Sequence, residues 1–290
     1  PVIWMAEALR FQAFASYVDV SFWSEFAKRK LDILKLSEEA VEINGAYSCG
    51  NPKHPNLPCR FQLSAASFSV PQPTPQTLPA PGLLYNCNTI EGFKKLDKQD
   101  LFRKTAARIW ADVCSGVALQ SPSVLNRFIL FTFADLKKYN FLYLFAFPAV
   151  KAWGEELPAL LSCTPISSHL SSPQLDSFRD GLFQIFSDPS QTETGYMLAL
   201  IFSDSVNLLP LTRIAEWLEA SEDSRAVVFV DPSVMAAHPG WPLRNFLALL
   251  HYHSLKLGHP LSTVTVLCAR HLFPSSDINH SIVLKVRLPS

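Results

Sequence analysis

The chain has 290 residues, enough for one large domain or two modest ones, and 48% of them are hydrophobic. Its 25 Lys and Arg residues balance its 25 Asp and Glu residues. Proteins that bind nucleic acids normally carry a basic excess that displaces counterions from the phosphates, so the composition argues against such a partner. A local basic groove remains compatible with it.

The cysteines are widely spaced along the chain. The six are Cys49, Cys59, Cys87, Cys114, Cys163 and Cys268. None forms a C-x-x-C pair, and structural zinc sites use such closely spaced ligands, so a zinc finger or ribbon is not expected. No signal peptide opens the sequence, which favours reduced, mostly buried thiols in a cytoplasmic protein over a disulfide framework.

The first half is predicted to be rich in strands. Alternating apolar residues and β-branched or aromatic content predict strands over residues 10–14, 41–48, 60–70 and 83–86. A helix over 22–36, capped by Asp19 or Ser21, would bury Phe22, Phe26, Leu31 and Leu34. A second helix begins at Asp97 or Lys98, ends near Val113, and turns Leu101, Ile109, Trp110 and Val113 inward.

A run of prolines lies between two of these strands. Residues 71–81 contain five prolines, which fix φ and remove N–H donors, so the run is interpreted as an extended connector. A polyproline ligand is the alternative. The connector is favoured because no basic residue flanks the prolines.

Residues 128–150 form the most apolar stretch. Asp135, Lys137, Lys138 and Asn140 interrupt it, so neither part reaches the roughly 20 apolar residues that a membrane-spanning helix needs. Two strands, over 125–133 and 141–147, joined by a polar turn fit the pattern. Their continuous hydrophobicity predicts that both faces of each strand are covered.

The second half alternates helices and strands. Helices are predicted over 172–186, 211–221 and 239–257, and strands over 196–202, 226–231, 263–269 and 281–288. The expected fold is therefore mixed α/β (α+β). A strand-rich subdomain (1–150) and an α/β-like subdomain (151–290) are expected to pack as one non-catalytic domain.

The motifs of common catalytic sites are absent. The ten glycines form no G-x-G-x-x-G. Gly45 and Gly50 have the spacing of a phosphate-binding loop, but Asn51 and Pro52 follow where Lys and Ser or Thr are required. His251 and His253 are two residues apart on a predicted helix, too divergent to chelate one metal, and one partly buried and one solvent-facing ring are expected.

Asp231 follows an apolar strand, a position that lines ligand sites in many α/β folds. Pro232 comes next, so a carboxylate that caps a turn is the favoured interpretation.

Several longer strings point to one family. FASYVDVSFW (14–23), LLYNCNTIEGFK (83–94), FTFADLKKYNFLYLFAFPA (131–149), HPGWPLRNFL (238–247) and HSIVLKVRLP (280–289) follow in order along the chain. They resemble the N-terminal domain of the autophagy ubiquitin-like modifier-activating enzymes, autophagy-related protein 7. The resemblance covers nearly the whole sequence.

The resemblance implies a recruiting role. In that family the C-terminal half holds the ATP site, the zinc-binding cysteines, the catalytic cysteine and the homodimer interface, so no cofactor and a monomer are expected here. The N-terminal half recruits the conjugating enzymes autophagy-related proteins 3 and 10 through a groove. That groove takes a segment that is flexible when free, and docking raises the effective concentration of the acceptor.

The residues that line such a groove are predicted from residue type. Interfaces favour Trp, Tyr and Arg, and basic side chains suit an acidic segment. The candidates are Lys137, Lys138 and Tyr139 on the turn between two strands, and Trp241, Arg244 and Asn245 at a helix start. For each residue alone, a solvated turn or a contact to the core is the alternative.

Two other functions are weighed beside recruitment. A complete small enzyme would need a catalytic constellation that the motifs do not supply. A purely structural domain would support the catalytic half without binding partners.

Overall fold

The computed structural model describes residues 7–48, 60–69, 77–154, 156–188, 195–270 and 278–289. The strands in these ranges are β1 (Glu7–Ala8), β2 (Ala15–Val18), β3 (Val41–Ser48), β4 (Arg60–Leu63), β5 (Thr77–Cys87), β6 (Phe128–Asp135), β7 (Asn140–Ala146), β8 (Ala159–Pro165), β9 (Tyr196–Ile201), β10 (Val206–Leu209), β11 (Arg225–Val230), β12 (Thr263–Ala269) and β13 (Ile282–Arg287). The α-helices are α1 (Val20–Arg29), α2 (Ile90–Lys95), α3 (Lys98–Ser115), α4 (Val117–Gln120), α5 (Ser172–Ser187), α6 (Ile214–Glu219) and α7 (Leu243–Lys256).

The strands form two mixed sheets. One has the spatial order β2-β4-β3-β5-β6-β7, and the other has the order β1-β8-β13-β12-β11-β9-β10. Each sheet combines parallel with antiparallel pairs, such as β5 with β6 and β6 with β7. The predicted mixed α/β fold is confirmed. The division into subdomains near residue 150 stays a prediction. One hydrophobic cluster includes side chains from both sides of that boundary.

Strand β11 in the seven-stranded sheet is buried on both faces. Along β11, Val227 and Phe229 join the cluster that contains α7, whereas Val228 and Val230 join the cluster shared with the six-stranded sheet. This alternation follows from the two-residue period of a strand. It explains why β11 is apolar at nearly every position.

Helix α7 is buried around most of its circumference. His251 and His253 are therefore both buried, and the expectation of one solvent-facing ring is wrong. The His253 Nε2 atom lies 3.0 Å from the Val113 carbonyl oxygen of α3. The two histidines belong to the packing of α7 on its neighbours, which the spacing of two residues does not reveal.

The six-stranded sheet has a core dense in phenylalanine. The Phe61 and Phe128 rings pack with centroids 4.6 Å apart. A side chain at Gly45 would overlap the Phe61 ring, and one at Gly82 would overlap the Phe128 ring. Gly45 thus lies within β3 and makes space for an aromatic ring, in agreement with the rejection of a phosphate-binding loop.

The proline-rich connector is shorter than predicted. Residues 71–76 lie outside the described residues, and β5 already begins at Thr77, so Pro79 and Pro81 are inside a strand. The Pro79 carbonyl accepts a hydrogen bond from Asn126 Nδ2 at 3.2 Å. The backbone N and O atoms of one strand residue point to the same side of the strand. Since the Pro79 carbonyl points toward Asn126 and away from β3, the Pro79 nitrogen does so too, and its lack of a hydrogen removes no hydrogen bond to β3.

Helix α1 confirms the cap but not the whole buried face. Asp19 accepts a hydrogen bond from the Ser21 N–H and is the N-cap residue. Phe22 and Phe26 are buried, but Leu31 is 65% exposed. The last turn, Lys30–Leu34, is a π-helix, and its wider turn moves Leu31 away from the core side.

Two predicted strands are also corrected. Residues 10–14 form no continuous strand, since β1 ends at Ala8, β2 starts at Ala15, and Gln12 makes an isolated bridge with Gly240. Strand β4 ends at Leu63 and a 3-10 turn, Ala65–Phe68, follows. That turn directs Phe68 onto Phe22, so its aromatic residue serves packing without a strand.

The apolar stretch from 128 to 150 forms β6 and β7, as predicted. No helix in the described ranges is long and apolar enough to span a bilayer. Strand β6 is central and largely buried. Strand β7 is at the edge of the sheet and partly exposed, so the expectation of two covered faces is wrong for β7.

Candidate functional site

The predicted site residues lie in two places that the fold keeps apart. Lys137, Lys138 and Tyr139 form the turn before β7. The Trp241 indole N–H donates to the Phe147 carbonyl, just beyond the other end of β7, at 3.2 Å. Seven strand residues span roughly 23 Å, so the two groups do not form one site.

The second group belongs to a loop that we call the corner, residues 231–245. An ion pair between Asp231 and Arg270, both nearly fully buried, organises it. The Asp231 Oδ1 atom accepts the N–H groups of Ser233 at 2.9 Å and Gly240 at 2.8 Å. Burial raises the pKa of Asp231, and the Arg270 guanidinium opposes that rise. The prediction that Asp231 caps a turn is confirmed.

Arg270 and Gln12 hold the rest of the corner. Arg270 Nη1 donates to the Met235 carbonyl at 2.8 Å, and Gln12 Oε1 accepts the Val234 N–H at 2.9 Å. The Gln12 backbone bonds to both Pro239 and Trp241. The corner is therefore fixed from two distant parts of the chain.

Trp241 and Arg244 stack on each other at the corner's end. The Arg244 guanidinium carbon lies 5.2 Å from the Trp241 ring centroid, a cation–π arrangement. Partial burial lowers the pKa of Arg244. The Phe11 ring meets the indole edge-on at 6.3 Å. Since both side chains are only half-buried, they stay candidates for partner contact.

Asn245 is not available to a partner. Its side chain is 3% exposed, and its oxygen accepts the Val150 N–H at 2.9 Å. Its Nδ2 donates to the carbonyls of Leu125 at 2.8 Å and Pro148 at 3.1 Å. Asn245 therefore satisfies buried backbone groups where β6 begins and where the chain leaves β7, and it is removed from the candidate partner-binding residues.

The turn before β7 is exposed. Lys137, Lys138 and Tyr139 all project into solvent, and Tyr139 adopts a left-handed φ of 51°. Its hydroxyl lies 3.0 Å from the Ser24 Oγ atom of α1. The Asp135 carboxylate accepts the Lys138 N–H at 3.2 Å. These bonds set the shape of the turn and leave both ammonium groups free for other contacts.

The strand next to this turn was predicted, but its exposure was not. Leu142, Tyr143 and Leu144 of β7 are 45%, 44% and 50% exposed. Helices α2 and α3 pack against β5 and β6, and α1 covers part of the opposite face of β7 through Trp23. No local pattern distinguishes this strand from β6, because both are apolar and only the strand order places β7 at the edge.

Metal ligands and thiols in the described ranges bear on possible catalytic chemistry. They contain no group of three or more His, Cys, Asp or Glu side chains placed to hold a metal ion. The described cysteines Cys87, Cys114, Cys163 and Cys268 are free thiols. Burial raises the pKa of Cys87, Cys163 and Cys268, which makes them poor nucleophiles.

The sequence matches a known family. Residues 9–290 match the model for the N-terminus of ubiquitin-like modifier-activating enzyme ATG7. Proteins named ubiquitin-like modifier-activating enzyme ATG7 are similar over nearly the whole chain. The one from Rattus norvegicus is 35% identical over 97% of this chain, and the one from Dictyostelium discoideum is 33% identical over 99% of it. The chain spans 40% of the length of each of these relatives.

Two solved structures share the fold. The Atg7NTD of Kluyveromyces marxianus is 25% identical, with a TM-score of 0.66, and the match covers 96% of this chain and 89% of that one. The structure of the Kluyveromyces marxianus Atg7NTD–Atg10 complex contains a chain that is 24% identical, with a TM-score of 0.62, covering 98% and 88%.

Proposed function

Because this chain belongs to the family formed by the N-terminus of ubiquitin-like modifier-activating enzyme ATG7, we propose that it recruits conjugating enzymes to that enzyme. The conjugating enzymes are autophagy-related proteins 3 and 10. The observation that carries the proposal is that a protein of this fold has been solved in a complex with Atg10. An exposed apolar strand beside a basic turn offers this chain a surface for the same task.

In this proposal, catalysis and recruitment belong to two different parts of the enzyme. Adenylation with ATP, thioester formation, zinc binding and dimerisation belong to the part of the relatives that lies beyond this chain. This chain holds the conjugating enzyme near the thioester, in the cytoplasm. Tethering makes the transfer effectively intramolecular, so a moderate affinity is sufficient for a large gain in rate.

A structural role is the second candidate, and a specific patch supports it. Leu31 and Ile33 of the π-turn and Leu36 just after it are 65%, 66% and 83% exposed. Three neighbouring exposed aliphatic side chains are unusual on a free surface. In this candidate the patch packs against another part of the full-length enzyme, and the chain binds no conjugating enzyme.

Calorimetric titration distinguishes the two candidates. The chain is titrated with autophagy-related protein 3, intact and without its flexible insertion, and with autophagy-related protein 10. We expect binding of both intact enzymes, and loss of protein 3 binding when the insertion is removed. Absence of binding to either intact enzyme would overturn recruitment by this chain and favour the structural role.

A further inference from the structure

Within the described residues, no strand pairs with the outer edge of β7. β7 is the last strand of the six-stranded sheet, and β6 pairs with it from Asn140 to Ala146. Soluble proteins usually protect such edges with proline, bulges or charged residues within the strand. The sequence of β7, NFLYLFA, has none of these, which is the pattern of an edge that accepts another strand.

The backbone groups that face outward can be assigned. Thr132 Oγ1 of β6 donates to the Leu142 carbonyl at 3.1 Å, so that carbonyl points toward β6. Strand residues alternate in the direction of their N–H and C=O groups. The N–H and C=O groups of Phe141, Tyr143 and Phe145 therefore point to the open edge.

The side chains beside this edge are apolar on both faces of the sheet. Leu142 and Leu144 lie opposite Phe133 and Phe131 of β6 and share their face. Tyr143 lies on the other face, where its ring is 5.1 Å from the Trp23 ring of α1. Side chains of an incoming strand would therefore meet apolar side chains of β7 on both faces of the sheet.

The charge at one end of the edge is positive. Lys137 and Lys138 lie on the turn, and Lys28 lies one helical turn beyond Ser24, which contacts Tyr139. None of the three lysines is in an ion pair within the described residues. The neighbouring acidic groups include Asp135 on the turn, Asp32 four residues after Lys28, and Glu25, which pairs with Arg29 at 2.7 Å.

We propose that the open edge of β7 binds an extended segment of the conjugating enzyme as an added strand. The segment carries apolar residues along β7 and acidic residues at the end beside Lys28, Lys137 and Lys138. This inference rests on the proposed recruitment and specifies its binding mode. A second copy that pairs through its own β7 fits less well, because that strand, Asn140–Ala146, carries no acidic residue.

One pair of variants tests the added strand. Tyr143→Pro removes an outward N–H and leaves the bonds to β6 intact, since proline is tolerated at such edge positions. Tyr143→Val removes the same ring but keeps the N–H. In titrations with autophagy-related protein 10, we expect Tyr143→Pro to bind at least about tenfold more weakly than Tyr143→Val. The proline variant lacks the N–H that would bond to the added strand, and its pyrrolidine ring would clash with that strand.

A second pair tests the charge. Lys137→Glu combined with Lys138→Glu should weaken binding and flatten its dependence on salt. Lys94→Glu combined with Lys95→Glu makes the same charge change on the exposed end of α2 and should leave binding unchanged. Equal effects of the two pairs would contradict a local charge contact.

Hydrogen exchange gives a test that needs no variant. Binding of the conjugating enzyme should newly protect the amides of Tyr143 and Phe145, while Leu142 and Leu144 are already protected by β6. If the wild type binds but these amides stay unprotected and the two Tyr143 variants bind equally, the added strand is wrong and recruitment stands. If the wild type does not bind, or if β7 instead pairs with a second copy in sedimentation experiments, the inference fails.

Discussion

The corner and the β7 hairpin differ in what their polar groups already do. In the corner, the side chains of Asp231 and Asn245 form hydrogen bonds to backbone groups of the same chain, and so does Arg270, which holds the corner in place. In the hairpin, the ammonium groups of Lys137 and Lys138 and the outer backbone groups of β7 have no partner among the described residues. Residue types that are common in interfaces occur in both regions, so residue type does not distinguish a binding surface from a packed one. What distinguishes the two regions is whether their polar groups already form hydrogen bonds within the chain.

This difference predicts two separable kinds of mutant. Substitutions of Asp231, Arg270 and Asn245, which are buried in or against the corner, should lower stability and leave partner affinity nearly unchanged. Substitutions along the β7 hairpin should lower affinity and leave stability nearly unchanged.

The largest expected effect comes from the buried ion pair. Arg270→Met leaves Asp231 without its guanidinium, and breaking such a pair costs about 3–5 kcal/mol of unfolding free energy. Denaturant unfolding measures it. Arg213→Met, which removes an exposed pair with Glu216, is the control and should cost about 0–1 kcal/mol. Similar losses for both would show that the corner does not depend on the pair.

Asn245→Leu should give the next largest effect. The substitution leaves the Val150 N–H and the Leu125 and Pro148 carbonyls without their hydrogen-bond partner. Each buried group left unpaired in this way lowers the unfolding free energy by about 1–3 kcal/mol. The same unfolding measurement applies, together with a titration of autophagy-related protein 10. A loss of affinity at unchanged stability would return Asn245 to the binding surface.

Leu144→Asp places a charge on the exposed part of β7. We expect affinity for the conjugating enzyme to fall about tenfold, or about 1.4 kcal/mol, with the free energy of unfolding within about 0.5 kcal/mol of wild type. Leu255→Asp, at an exposed position near the end of α7, is the matched control. If Leu144→Asp binds normally, the apolar face of β7 plays no part in recruitment.

The smallest effect is a pH dependence of stability. Burial lowers the pKa of both His251 and His253, so below pH 6.5 the unfolded chain binds more protons than the folded one. Stability is then complete above about pH 6.5 and falls as the pH drops toward the folded-state pKa values. His253→Gln keeps a donor for the Val113 carbonyl and should reduce this slope in unfolding experiments at several pH values. An unchanged slope would exclude His253 as a source.

The fold was largely predictable because hydrophobic periodicity reports local structure. The N-cap Asp19, the start of α3 after Asp97, and the β6–β7 hairpin all follow from patterns within a few residues. The errors concern information that lies elsewhere in the chain. Whether β7 is central or at an edge depends on strand order, and whether Leu31 is buried depends on a π-turn that no apolar pattern announces.

The candidate site was predicted in part, for the same physical reason. The turn residues were identified by type, but the adjacent strand was interpreted as buried because its composition matches that of β6. Asn245 was selected as polar at a helix start, although its three bonds reach backbone groups 95 to 120 residues away. Neither fact is encoded near the residue concerned.

Strand β1 has a consequence for how the chain is made. Glu7 and Ala8 pair with Leu160 and Ala159, so β1 leaves the ribosome about 150 residues before its partner. At about 5–20 residues per second, β1 waits roughly 8 to 30 s before it can join its sheet. During that interval the six-stranded sheet, complete by Ala146, can form first. Deleting the first ten residues should therefore spare that sheet and expose the edge of β8 in the finished protein.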